Sequence, residues 1–176
     1  MTRLKLFLLL ATSVSALAVL VCPATLSAAD GKPTIVAVTD DQQSFQFRAG
    51  RVCAFPLAGT PVANNQVIKT YPADANGDVR VLVEGLLKAQ VTNVVTGKSI
   101  VVNVSGPTKE VIHPDGTADL TLDGSVMVLF NARFNPLGPH TYIYTGHTEL
   151  SVSDEGVLTP VSTTDKQPFD VCAALS

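Results

Sequence analysis

The sequence predicts an all-β domain: an antiparallel meander of short strands that closes into a β-barrel, with a β-sandwich as the alternative. Three observations carry this. Apolar residues recur at every second position, as where Ala118, Leu120 and Leu122 alternate with Thr117, Asp119, Thr121 and Asp123. Such alternation sets one face of a strand on a core and the other in water. Turn signals come at the short spacing, about 8–12 residues, of hairpin-built folds. Asn76-Gly77, Thr96-Gly97, Asp115-Gly116 and Asp123-Gly124 each supply a glycine able to take the positive φ of a tight turn. Hardly any segment has the 3.6-residue period of an amphipathic helix.

Taken in order, the strands fall near 34–39, 44–48, 51–57, 66–71, 78–84, 89–95, 99–105, 108–113, 117–122, 125–130, 141–152, 157–163 and 168–173. Val79, Val81 and Val83 alternate with Arg80, Leu82 and Glu84. The one helical alternative, Val81 to Ala89, is interrupted by Gly85. Val91–Val95 and Ile100–Val104 flank Thr96-Gly97 as the two arms of a hairpin. Val126–Phe130 is apolar at every position, which predicts burial on both faces or an interface. Asn131–His140, with Pro136, Gly138 and Pro139, breaks the rhythm and reads as a surface loop. In a meander the first and last strands meet, and closure removes exposed sheet edges.

The chain opens as an export signal does. Arg3 and Lys5 precede an uncharged, mostly apolar run, Leu6–Val21, and Ser27-Ala28-Ala29 offers a small-residue cleavage site. The run holds Thr12, Ser13 and Ser15 and is shorter than the roughly 20 residues of a membrane span. A lipoprotein would acylate Cys22, but Val21 stands where a small residue is usual. Residues 1–29 are therefore expected to be a secretory signal peptide. Residues 30–176 form a single all-β domain with its core over about 44–176, a length suited to one domain.

Loss of the leader removes one of the three cysteines and leaves Cys53 and Cys172. An even number in an exported chain favours a disulfide. Losing Arg3 and Lys5 takes the net charge from −3 to −5. Acidic charge without Lys or Arg clusters argues against binding nucleic acid or an anionic membrane.

The candidate sites each have a plainer competitor. Asp74, Asn76 and Asp78 alternate as calcium ligands do, but Val79 and Gly85 occupy the sixth and twelfth loop positions, where a helix–loop–helix site needs Gly and Glu. A hairpin turn explains the same residues. His113, His140 and His147 lack the spacing of a zinc site, so no metal is expected. His147 and Glu149 share a strand face, where a carboxylate could orient an imidazole. No GxSxG elbow or free cysteine supports nucleophilic hydrolysis, and Asp119 and Asp123 lie on a solvent face without shielding. Asn103-Val104-Ser105 fits a glycosylation acceptor, of consequence only in a eukaryotic secretory pathway. His140, Tyr142 and Tyr144 share one strand parity, continued by Leu150 and Val152. With Phe134 at the adjacent loop they are the candidate lining of a small-molecule pocket; the competing reading is core packing.

Cys53-Ala54-Phe55-Pro56, the hairpin Val91–Ser99, Asn103-Val104-Ser105-Gly106-Pro107, Pro114-Asp115-Gly116-Thr117 and the closing Asp170–Leu175 together resemble a group of small secreted β-rich proteins from actinobacteria and related bacteria. The resemblance runs from about Cys53 to Ser176. It implies a secreted, disulfide-closed β domain and carries no chemistry beyond Cys53 and Cys172. The function expected from the whole reading is a non-enzymatic binding module, without cofactor, for a small apolar or amphipathic ligand or a cell-envelope component. The alternatives are a barrel cyclase or isomerase, which needs few charged groups, and a structural envelope protein that oligomerises through Val126–Phe130.

Overall fold

The computed structural model of the chain describes residues 31–132 and 138–176. The expected leader, residues 1–29, lies outside them. Fourteen strands run β1 (Thr34–Ala37), β2 (Phe45–Phe47), β3 (Leu57–Asn64), β4 (Val67–Thr70), β5 (Val79–Glu84), β6 (Leu87–Asn93), β7 (Ser99–Asn103), β8 (Thr108–Ile112), β9 (Ala118–Asp123), β10 (Val126–Phe130), β11 (His140–Tyr144), β12 (His147–Val152), β13 (Leu158–Thr163) and β14 (Phe169–Asp170). Two short helices join them, α1 (Asp40–Gln43) and α2 (Val171–Leu175).

The all-β, antiparallel expectation holds; the barrel does not. The strands form three open sheets: β1-β4-β5-β8-β9-β12-β13, β2-β3-β6-β7 and β10-β11-β14. β1 and β13 stand at opposite edges of the large sheet, so the two ends of the meander never pair. The reason lies in the connections. β2–β3, β4–β5, β6–β7, β8–β9, β10–β11 and β12–β13 stay within a sheet as hairpins, while the links between these pairs carry the chain from one sheet to another. Gly85 makes such a corner between β5 and β6 at φ 119°. A Cβ there would stand 2.7 Å from the Asn65 carbonyl oxygen, so only glycine passes. Asp123-Gly124, read as a hairpin turn, is likewise a corner, between β9 and β10.

Two further segments depart from the expected strands. The stretch 141–152 is not one strand: Gly146, at φ 88°, divides β11 in the small sheet from β12 in the large one. The last segment, 168–173, keeps only Phe169–Asp170 as strand and then turns into α2. Asp170 caps that helix, its side chain accepting from the Ala173 N–H, and Cys-Ala-Ala-Leu contains good helix formers. A short apolar run does not by itself distinguish strand from helix.

The three-stranded sheet lies between two cores. Met127 and Leu129 of β10 and Ile143 of β11 join Leu57, Leu87, Ala89 and Val91 of the four-stranded sheet, with Val171 and Leu175 of α2, in a first core. Val126, Val128 and Phe130 of β10 and Tyr144 of β11 join Ala118, Leu120, Leu122, Leu150, Val152 and Leu158 of the large sheet in a second. This explains why β10 is buried at all five positions. Both its faces are used within the chain, the first of the two readings given for Val126–Phe130, burial on both faces or an interface.

The first core is closed covalently. Cys53 and Cys172 form a disulfide with Cα atoms 5.5 Å apart, tying the irregular segment before β3 to α2. Thr141, fully buried, donates its hydroxyl to the Val52 carbonyl at 3.1 Å. Asn93 donates to the Leu175 carbonyl at 3.0 Å and Lys98 to that of Ser176 at 2.9 Å, so α2 is held at its far end as well.

Candidate functional site

The second core carries the polar chemistry. On the face of β11 turned toward it stand His140, Tyr142 and Tyr144, each opposite a β10 residue: Phe130, Val128 and Val126. Alternation along β11 sets these three on one side and Thr141 and Ile143 on the other, in the first core. The His140 ring stacks on Tyr142 with centroids 5.4 Å apart. Phe130 and Tyr144 meet Tyr142 edge-on at 6.1 and 6.3 Å. The result is one aromatic wall with Tyr142 at its centre. Tyr144 is buried, Tyr142 and His140 half-buried. Burial, then the neighbouring Tyr142 and Asp165, push the Tyr144 phenol up from its usual range. Asp165 pins the turn beyond Tyr144 by accepting from the Thr145 N–H at 2.7 Å and hydroxyl at 3.0 Å, bonds that lower its own carboxyl.

The facing wall is the inner surface of β8, β9, β12 and β13. It contains one acid. Glu110 of β8 pairs with Val81 of β5 on one side and Leu120 of β9 on the other, and shares its face with Thr108 and Ile112. Leu120 belongs to the second core and Ile112 packs against it, as Tyr142 does. Burial pushes the Glu110 carboxyl up. Among the described residues no hydrogen bond or ion pair involves either phenol hydroxyl, the His140 imidazole or the Glu110 carboxyl; none of these atoms is buried without a partner, a condition met there by Gln43 Oε1.

Of the residues expected to line a pocket, the structure brings His140, Tyr142 and Tyr144 together; Phe134 lies outside the described residues. Sequence reasoning missed Glu110. The signal was present in the parity of β8, where Glu110 aligns with Ile112 while Lys109 and Val111 take the other face. The expectation that no acid is shielded was therefore incomplete.

The other candidate motifs serve the frame. The Asp74 carboxylate accepts from the Asn76 and Asp78 N–H groups at 2.8 and 3.1 Å, the turn alternative to the calcium loop. Asp119 and Asp123 do lie on the outer face of β9, but each meets a histidine. His113 reaches Asp78 through Nδ1 at 2.9 Å and Asp119 through Nε2 at 3.3 Å. His147 reaches Asp123 through Nδ1 at 2.8 Å and Glu149 through Nε2 at 3.6 Å. Hydrogen bonding to Asp78 and Asp119 holds the His113 pKa up, and bonding to Asp123 does so for His147. Among the described residues no cluster of three or more His, Cys, Asp or Glu could hold a metal ion. Nor is any helix there long and apolar enough to cross a membrane.

Comparison with protein-family models, with curated proteins and with solved structures finds no match to this chain.

Proposed function

We propose that the protein is a secreted, sandwich-like binding module, without catalytic activity, that takes a small amphipathic ligand at the second core. One observation carries the reading: an aromatic wall of His140, Tyr142 and Tyr144 whose polar atoms have no partner among the described residues. Small-molecule sites are mostly apolar and aromatic, with a few polar groups that fix orientation. The disulfide agrees with an oxidising compartment, and the start of the chain agrees with a cleaved leader. Membership of the actinobacterial secreted group belongs to the same proposal.

The test is mass spectrometry of the protein recovered from the medium of its own cells. A denatured mass of residues 30–176 less two hydrogens, with a heavier native species that sheds a small molecule, is the expected result. A native mass equal to the bare chain, unchanged after incubation with a panel of amphiphiles, removes the ligand reading.

A further inference from the structure

Glu110 narrows the ligand class, and the narrowing rests on the ligand reading above. Its position makes it unusual. It sits mid-strand on the inner face of the large sheet, between Val81 and Leu120 across the ladder and between Thr108 and Ile112 along the strand. The basic residues nearest in sequence or register, Lys109 and Arg80, alternate onto the opposite, exposed face. Val79, Val81 and Val83 of β5 and Ala118, Leu120 and Leu122 of β9 share the inner face with Glu110, and none is charged. The wall across the core offers Phe130, Val126, Val128, Tyr142 and Tyr144 with one imidazole, His140.

An acid in such a place is unfavourable for the free protein, because burial opposes its charge and no cation answers it. The same arrangement favours a guest that supplies the cation together with an apolar body. Tyrosine faces accommodate ammonium groups through their negative ring faces, and the net charge of −5 left once Arg3 and Lys5 are removed draws cations in. An anionic amphiphile meets the Glu110 carboxylate as a like charge, and a neutral one leaves it unanswered.

We propose that the second core binds a cationic amphiphile, an alkyl ammonium compound whose apolar body packs against the aromatic wall and whose head pairs with the Glu110 carboxylate.

Isothermal titration of the disulfide-intact chain lacking residues 1–29 tests this at neutral pH with three single-chain probes below their micelle concentrations: decyltrimethylammonium, decanoate and a decyl glycoside. The cation is expected to bind at least ten-fold more tightly than either of the others. Glu110→Gln is expected to abolish that preference, and Glu110→Asp to keep part of it. Thermal melts of both variants establish that they fold. Equal binding of cation and glycoside by the wild-type chain, tighter binding of decanoate, or a preference that survives Glu110→Gln in a folded variant overturns the cationic assignment and leaves the ligand site standing. Failure of all three probes overturns both.

Discussion

The two faces of the β10-β11-β14 sheet are built from the same strands and do different things. Toward the four-stranded sheet, β11 presents Thr141 and Ile143 to a core closed by the Cys53–Cys172 bridge and by α2. Its polar members have partners there: Thr141 on Val52, Asn93 on Leu175. Toward the large sheet, the same strand presents His140, Tyr142 and Tyr144 to a core with no covalent tie among the described residues. One strand of five residues thus divides a bridged structural side from the proposed binding side, and period-two alternation is all it needs.

The largest effect that separates the two faces is reduction of the bridge. It closes a loop with a sequence separation of 119 residues, and the chain-entropy account gives it about 4–5 kcal/mol. Replacing Cys53 and Cys172 with alanine should lower Tm by roughly 10–15 °C in calorimetry. A change of only a degree or two would mean that α2 and the first core hold without it.

Next come paired truncations. Leu129→Ala opens a cavity in the bridged core and should cost about 3–5 kcal/mol in urea unfolding. Leu150→Ala, in the second core, should cost less, about 2–3 kcal/mol, because the proposed ligand site is expected to relax more readily. The reverse order would argue that the second core is the more rigid packing.

Glu110→Leu removes the unanswered acid and should stabilise the free protein by on the order of 1 kcal/mol. Its pH dependence has a definite sign. Burial raises the folded pKa, so the penalty is absent where both states are protonated and complete above the folded value. Stability contributed by this position therefore falls as pH rises, and the Leu variant should lose that component of the pH profile.

The smallest effect lies outside both cores. A neutral imidazole has one N–H, whereas an imidazolium donates from both nitrogens. A carboxylate at each nitrogen of His113 thus favours its charged form and raises its pKa. Since its folded pKa is raised, the stabilisation is complete below about 6.5, the unfolded value, and is lost as pH climbs through the folded one. His147 acts in the same sense. Proton titration by NMR should show both imidazoles shifted upward, and Asp78→Asn should bring His113 down without moving His147.

Much of the frame was legible in the sequence, and for physical reasons. Alternation in β9 and the unbroken apolar run of β10 report burial directly, and the cysteine pair reported the bridge. The sheet assignment was not legible. A glycine that turns a hairpin, as Gly97 does between β6 and β7, is chemically the same as one that turns a corner between sheets, as Gly85 and Gly146 do. The choice is made by which strands find partners across the layers. Three of the aromatic-wall residues could be read from parity because β11 keeps strict alternation. Glu110 could not be weighed correctly, since an acid beside a lysine on a short strand looks like a solvated pair until the facing sheet is known.

The most direct test of the division uses the three tyrosines. Tyr71 lies apart from both cores, under the Arg80 guanidinium at 4.9 Å, and serves as an internal reference. Ring carbon spectra of a 13C-tyrosine-labelled chain should be recorded during titration with decyltrimethylammonium, alongside the methyl signals of Val52 and Leu175 in the first core. The account predicts saturable shifts at Tyr142 and Tyr144, with Tyr71, Val52 and Leu175 unmoved. Shifts centred on Val52 and Leu175, or equal shifts at all three tyrosines, would contradict it.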